Sequence, residues 1–169
     1  MIVVKKSISV VGGDLRIVKL IEMLVSDDYT VYTYGLEQAE ELLSLENVEM
    51  CPTVEEVIAA SEVVIGPIPV TSDRRNLSMP FSNVKLPIEE FVSKVNCRAL
   101  IAGTLFEEQK KVLEEKNLPI FEYTFFCSKK SAGTKLDFMG KKYKRLLLVF
   151  AVFAVSFSLF LGLGYVSLN

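Results

Sequence analysis

The feature that most restricts the fold of this chain is a regular alternation, over residues 1–123, of short β-branched runs with longer stretches of helical periodicity. Residues 7–11 form the first run and end in Gly12-Gly13, after which residues 15–25 place Ile17, Leu20, Ile21 and Leu24 on one helical face. Residues 30–34 read as a second strand stopped by Gly35, and residues 38–45 as a short helix with Ala39, Leu42 and Leu43 inward. Thr53 with Glu56 three residues on makes a capping box for a helix reaching Ala60. Residues 62–66 and 98–103 are apolar enough for strands covered on both faces. Pro87 suits the first turn of a helix to Val95, Thr104 and Glu107 cap another to Lys116, and residues 118–123 supply a fifth strand. The expectation is an α/β domain of three layers, with a Rossmann-like or flavodoxin-like sheet of five mainly parallel strands and Ile8 and Val10 near its centre.

Beyond residue 123 the character changes. Residues 124–145 have no clear periodicity and read as a linker of low order, ending in the basic collar Lys141, Lys142, Lys144 and Arg145. Residues 146–166 then form an apolar run interrupted only by Ser156, Ser158 and Tyr165, and residues 167–169 form a short tail. As a helix the run would be about 32 Å long, which matches a hydrocarbon core of about 30 Å. The expectation is a single C-terminal transmembrane helix, with membrane lipid as its partner. The collar before it places the domain on the cytoplasmic side of the cell membrane by the positive-inside rule.

Charge and residue type exclude several classes of function. Residues 1–123 hold 12 Lys+Arg against 20 Asp+Glu, while residues 124–169 hold 7 against 1. Nucleic-acid binding through so acidic a body would work against electrostatic repulsion. The chain has no histidine, and its three cysteines (Cys51, Cys97 and Cys127) are widely spaced. A zinc centre, a disulfide framework and His-based nucleophilic catalysis are therefore not expected.

Strand exits of a parallel sheet open at one edge, so the Gly12–Arg16 turn, Gly35, residues 66–75 and Gly103-Thr104 should converge there. Gly12-Gly13-Asp14-Leu15-Arg16 is similar to the start of a dinucleotide fingerprint, but Asp14 and Ile17 stand where that pattern needs its second and third glycines. A carboxylate at the close-approach position repels a pyrophosphate. A helix N-terminus, two glycines and Arg16 suit an organic carboxylate instead, and Asp14 by itself also reads as a structural N-cap. In the loop after the third of these strands, Pro67 and Pro69 enforce an extended path, and Thr71, Ser72, Asp73, Arg74 and Arg75 supply hydroxyls, a carboxylate and two guanidiniums. Singly, either arginine also reads as solvated surface. Pro80-Phe81-Ser82-Asn83 has the composition of a turn with an aromatic anchor.

Gly-Gly-Asp-x-Arg after the first strand, Gly66-Pro67-x-Pro69, Pro80-Phe81-Ser82-Asn83 and the strand ending Ala102-Gly103 together resemble, across residues 7–123, the N-terminal domain of the dipicolinate synthase A subunit. The resemblance implies a link to dipicolinate synthesis in sporulation, a partner like the B subunit of that synthase, and a small dicarboxylate ligand. It implies Gly12, Gly13, Asp14, Arg16, Pro69, Thr71 and Asn83 as substrate-domain residues without individual roles, and it leaves the catalytic residues unassigned. NADP is implied for full-length family members, through a second domain that residues 124–169 do not resemble, so no cofactor is expected here and hydride transfer by this chain alone is not. Two other readings stand beside it: a truncated or frame-shifted remnant of the family's full-length protein, and an unrelated membrane-anchored α/β binding module.

Overall fold

The computed structural model describes residues 6–122. The chain divides into two units between Glu122 and Tyr123. The linker, apolar run and tail expected at 124–145, 146–166 and 167–169 lie outside the described residues, among which no helix is long and apolar enough to cross a membrane.

Six strands form one parallel sheet: β1 (Lys6–Val11), β2 (Tyr29–Tyr34), β3 (Val48–Met50), β4 (Val63–Ile65), β5 (Ala99–Ala102) and β6 (Ile120–Glu122). Five helices join them: α1 (Leu15–Ser26), α2 (Glu40–Leu43), α3 (Val54–Ala59), α4 (Ile88–Lys94) and α5 (Glu107–Glu115). The strand order β3-β2-β1-β4-β5-β6 decides between the two expected topologies, because it is the doubly wound order of Rossmann folds and not that of flavodoxin. The order reverses between β1 and β4, the point beside whose C-terminal strand ends Rossmann folds receive their ligands.

Strands β1, β2, β4 and β5 are largely buried because both faces are covered. Ile8 and Val10 are fully buried at the centre of the sheet. Helix α1 lays Ile17, Val18, Leu20, Ile21 and Leu24 against one face, each worth about 1.5–3 kcal/mol on removal from water. On the other face Val57 of α3, Phe91 of α4 and Leu113 of α5 share one core with Val64 and Leu100. That core also takes in Val70, Leu77, Met79 and Leu86 from the long β4–α4 connection.

Three local expectations are corrected. A sixth strand, β3, takes the edge position with only half-exposed Val48 and exposed Glu49 and Met50, and so carries no apolar pattern. Helix α2 is one turn, which turns Leu42 inward and leaves Leu43 67% exposed, since adjacent helical residues point about 100° apart. Helix α5 starts after Phe106 and not at Thr104, because the Leu105 N–H donates to Glu122 Oε1 (2.8 Å) and the Phe106 N–H to Gln109 Oε1 (3.1 Å). Thr53 does cap α3, its Oγ1 accepting the Glu56 N–H at 3.2 Å.

Candidate functional site

Of the residues singled out by the sequence, Gly12, Gly13, Asp14 and Arg16 stand together at the turn after β1, and their hydrogen bonds are already committed within the chain. Asp14 is the N-cap of α1 and accepts the Arg16 N–H at 3.0 Å. The same carboxylate accepts two bonds from Arg16 Nε (3.0 and 2.9 Å) and pairs with its Nη2. Arg16 Nη2 also donates to the Ile68 carbonyl. The guanidinium thus ties the start of α1 to the exit of β4, across the point where the strand order reverses. Asp14 and Arg16 are partly exposed, so their pairing is worth less than a buried ion pair.

Gly12 adopts φ of +61°, in the left-handed region that favours glycine, and Gly13 φ of +113°, where an L-residue is strained. Their amides are also used. Gly12 N–H donates to Tyr34 O (2.8 Å) and Gly13 N–H to Ser78 O (2.9 Å). A Cβ on Gly12 would stand 2.6 Å from Met79 Cγ, and one on Gly35 2.7 Å from Met79 Cε. Met79 is buried over both glycine turns. With Gly13 N–H donated to Ser78 O, Met79 in the space above and Asp14 at the close-approach position, these residues do not fit a dinucleotide pyrophosphate.

The remaining residues divide. Pro69 is exposed, joined to Ile68 by a cis peptide and followed by buried Val70. Thr71 turns inward on its own loop: its Oγ1 accepts the Arg74 N–H at 2.9 Å and donates to Asp73 Oδ1 at 3.1 Å. Asp73 in turn accepts the N–H groups of Arg75 and Asn76, both at 2.8 Å, and the Asn76 side-chain amide. These bonds, led by the Asn76 backbone amide, hold its carboxyl far below the ordinary carboxylate range. The Arg74 guanidinium lies 5.9 Å from the Phe106 ring centroid, in cation–π contact, and Arg75 is exposed and pairs with no carboxylate of the described residues. Asn83 is exposed on the far limb of the loop, where Gln38 N–H donates to Phe81 O.

Sequence reasoning missed Ser78 and Met79. The available signal was the alternation of Leu77 and Met79 with polar neighbours, opposite Leu86 and Ile88, which marks two short extended segments with buried faces. Leu77 N–H donates to Leu86 O, and Asn76 bridges Pro87 in antiparallel fashion. Among the described residues no group of three or more Cys, Asp or Glu side chains could hold a metal ion.

A doubly wound parallel sheet whose strand order reverses between β1 and β4, with a glycine turn at that point, defines a Rossmann-type α/β domain. The family model that matches it is narrower. Residues 7–124 match the N-terminal domain of the dipicolinate synthase A subunit, and the chain belongs to that family. It is similar to the crystal structure of dipicolinate synthase, A chain, from Bacillus subtilis, with 16% identity and a TM-score of 0.59 over 73% of this chain and 44% of that one. It is also similar to the dipicolinate synthase A subunit from Bacillus halodurans, with 20% identity and a TM-score of 0.58 over 70% of this chain and 41% of that one. At these identities the likeness is one of fold. The chain spans about two-fifths of the length of these solved proteins. No curated protein sequence matches it.

Proposed function

We propose that this chain is the ligand-side domain of a dipicolinate synthase system, binding a small dicarboxylate and working with a partner like the synthase's B subunit in dipicolinate synthesis during sporulation. It does not complete hydride transfer alone. Family membership over residues 7–124 supports this choice of substrate class. The observation that carries the site is the loop after β4. There the Asp73 carboxylate is occupied by backbone amides, Arg74 rests on Phe106, and Arg75 stands exposed beside them. A dicarboxylate matches a guanidinium fork, and the rim that presents it is held rigid by the Thr71–Asp73 bonds. Isothermal titration of dipicolinate into the full chain tests the reading. Saturable binding that weakens at least about tenfold in Arg75→Ala supports it, in line with loss of a charge-assisted bond. Heat indistinguishable from dilution, or equal affinity in the variant, overturns it.

Residues 146–166 anchor the chain in the cell membrane with the domain on the cytoplasmic side. The support is the uncharged run of 21 residues and the four cations in the five residues before it. A charge at Phe157 should weaken insertion by about 2.5–3.5 kcal/mol. Recovery of the full chain in the carbonate-soluble fraction would refute the span, and cleavage of the domain by protease added outside intact cells would refute the orientation.

A further inference from the structure

We infer that the β4–α4 connection carries a built-in occupant of the crevice between β1 and β4, the segment around Ser78-Met79, which stands where a Rossmann fold receives a dinucleotide and keeps this domain from taking one. Three features support this. The first is a consumed donor: Gly13 N–H, at the turn that opens α1, donates to Ser78 O at 2.9 Å. The second is filled volume. Met79 lies so close over Gly12 and Gly35 that even a methyl group on either turn would fall within 2.6–2.7 Å of its side chain.

The third is anchorage on every side. Ser78 N–H donates to Val70 O, Leu77 N–H to Leu86 O, Gln38 N–H to Phe81 O and Gly103 N–H to Pro67 O, all at 2.8–3.0 Å. Val70, Leu77 and Leu86 are buried beneath the segment at 3–4% exposure. Withdrawing it exposes several apolar side chains together. The fraction of molecules with an open crevice is then below about one in a thousand, and any dinucleotide would bind at least about a thousandfold more weakly than to a preformed site. The inference does not depend on the dicarboxylate reading, which concerns the outer rim of the same loop.

The test pairs a titration of NADPH into the full chain, followed by NADPH fluorescence, with hydrogen exchange at the Gly13 amide. The expected result is no saturable NADPH binding up to about 1 mM and a protected Gly13 amide. Met79→Ala should raise Gly13 exchange by at least about tenfold while the amides of Ile8 and Val10 stay protected. Met79→Leu, which keeps the volume, should retain the wild-type protection. Micromolar NADPH binding by the wild type, an unprotected Gly13 amide, or unchanged exchange in a folded Met79→Ala would each overturn the inference. If Met79→Ala does not fold, the wild-type titration and Met79→Leu decide it.

Discussion

Replacing Gly13 by alanine should cost the domain about 4 kcal/mol, the sum of two separate penalties of about 1–3 kcal/mol each. Gly13 has φ of +113°, where an L-residue is strained. The new methyl group would also stand 2.4 Å from Ile17 Cγ1 and 2.6 Å from Ile17 Cβ. Rotating Ile17 moves Cγ1 but not Cβ, so α1 itself must shift away from β1, and a core of this density resists that. A domain of this size has a stability of about 6–17 kcal/mol, so the variant should still fold. With a urea slope of about 2 kcal/mol/M, its midpoint should fall by about 2 M. The assay is urea unfolding of the full chain in mild detergent, followed by far-ultraviolet circular dichroism. Gly66→Ala is the control: its Cβ would stand no nearer than 3.2 Å to any neighbour, Ala102 Cβ, at no positive φ, for a cost of about 1 kcal/mol or less. A Gly13→Ala midpoint within about 0.3 M of wild type would show that neither penalty operates, and a control equally destabilised would show that the turn geometry is not their source.

Three further outcomes follow from the same geometry. Arg16→Ala should destabilise by about 1–2 kcal/mol through loss of the Asp14 fork and the Ile68 carbonyl bond, and Arg16→Lys should recover only part of this in the same unfolding assay. Burial pushes the Cys97 thiol up to about 11, so iodoacetamide labelling at pH 8, read by mass spectrometry, should proceed roughly a hundredfold more slowly than in the urea-unfolded chain. Because this value is raised on folding, the stability it reflects is complete below about pH 9 and is lost as pH rises through about 11. Asp73 is shifted the other way: its contribution is complete above the ordinary carboxylate value and is lost only as pH falls through its depressed one, so Arg75 and Asn76 amide exchange, corrected for intrinsic rate, should be flat from pH 7 to about 5. Asp73→Ala should abolish that protection at neutral pH.

The fold was legible where periodicity was long and clean. Helix α1 shows its buried stripe in the sequence because twelve residues repeat it, and β4 and β5 show as unbroken apolar runs because helices cover both faces. Strand β3 was illegible since an edge strand of three residues needs only backbone pairing with β2, which leaves no side-chain pattern. Leu43 misled for a related reason: a one-turn helix is too short for an apolar residue's position to fix its face. At the site, Asp14 and Arg16 were correctly placed at the turn, but their spacing could not reveal that they bond to each other and to Ile68, a partner 52 residues distant from Arg16. Met79 was hidden most thoroughly. Prolines and charges in residues 66–83 advertise a surface loop, and the buried Leu77 and Met79 show only when read as inward-facing residues of a short extended segment.

Ligand recognition, as proposed, belongs to the outer rim of the β4–α4 loop, while the crevice beside it is filled by the chain itself. Backbone amide shift mapping of the isotope-labelled full chain during a dipicolinate titration separates these two places residue by residue. Saturable shifts should concentrate at Thr71, Asp73, Arg74 and Arg75, with the Gly12, Gly13 and Gly35 amides moving little. Shifts centred on the glycine turns with loss of the Gly13 to Ser78 bond, or no saturable shifts at all, would contradict this division.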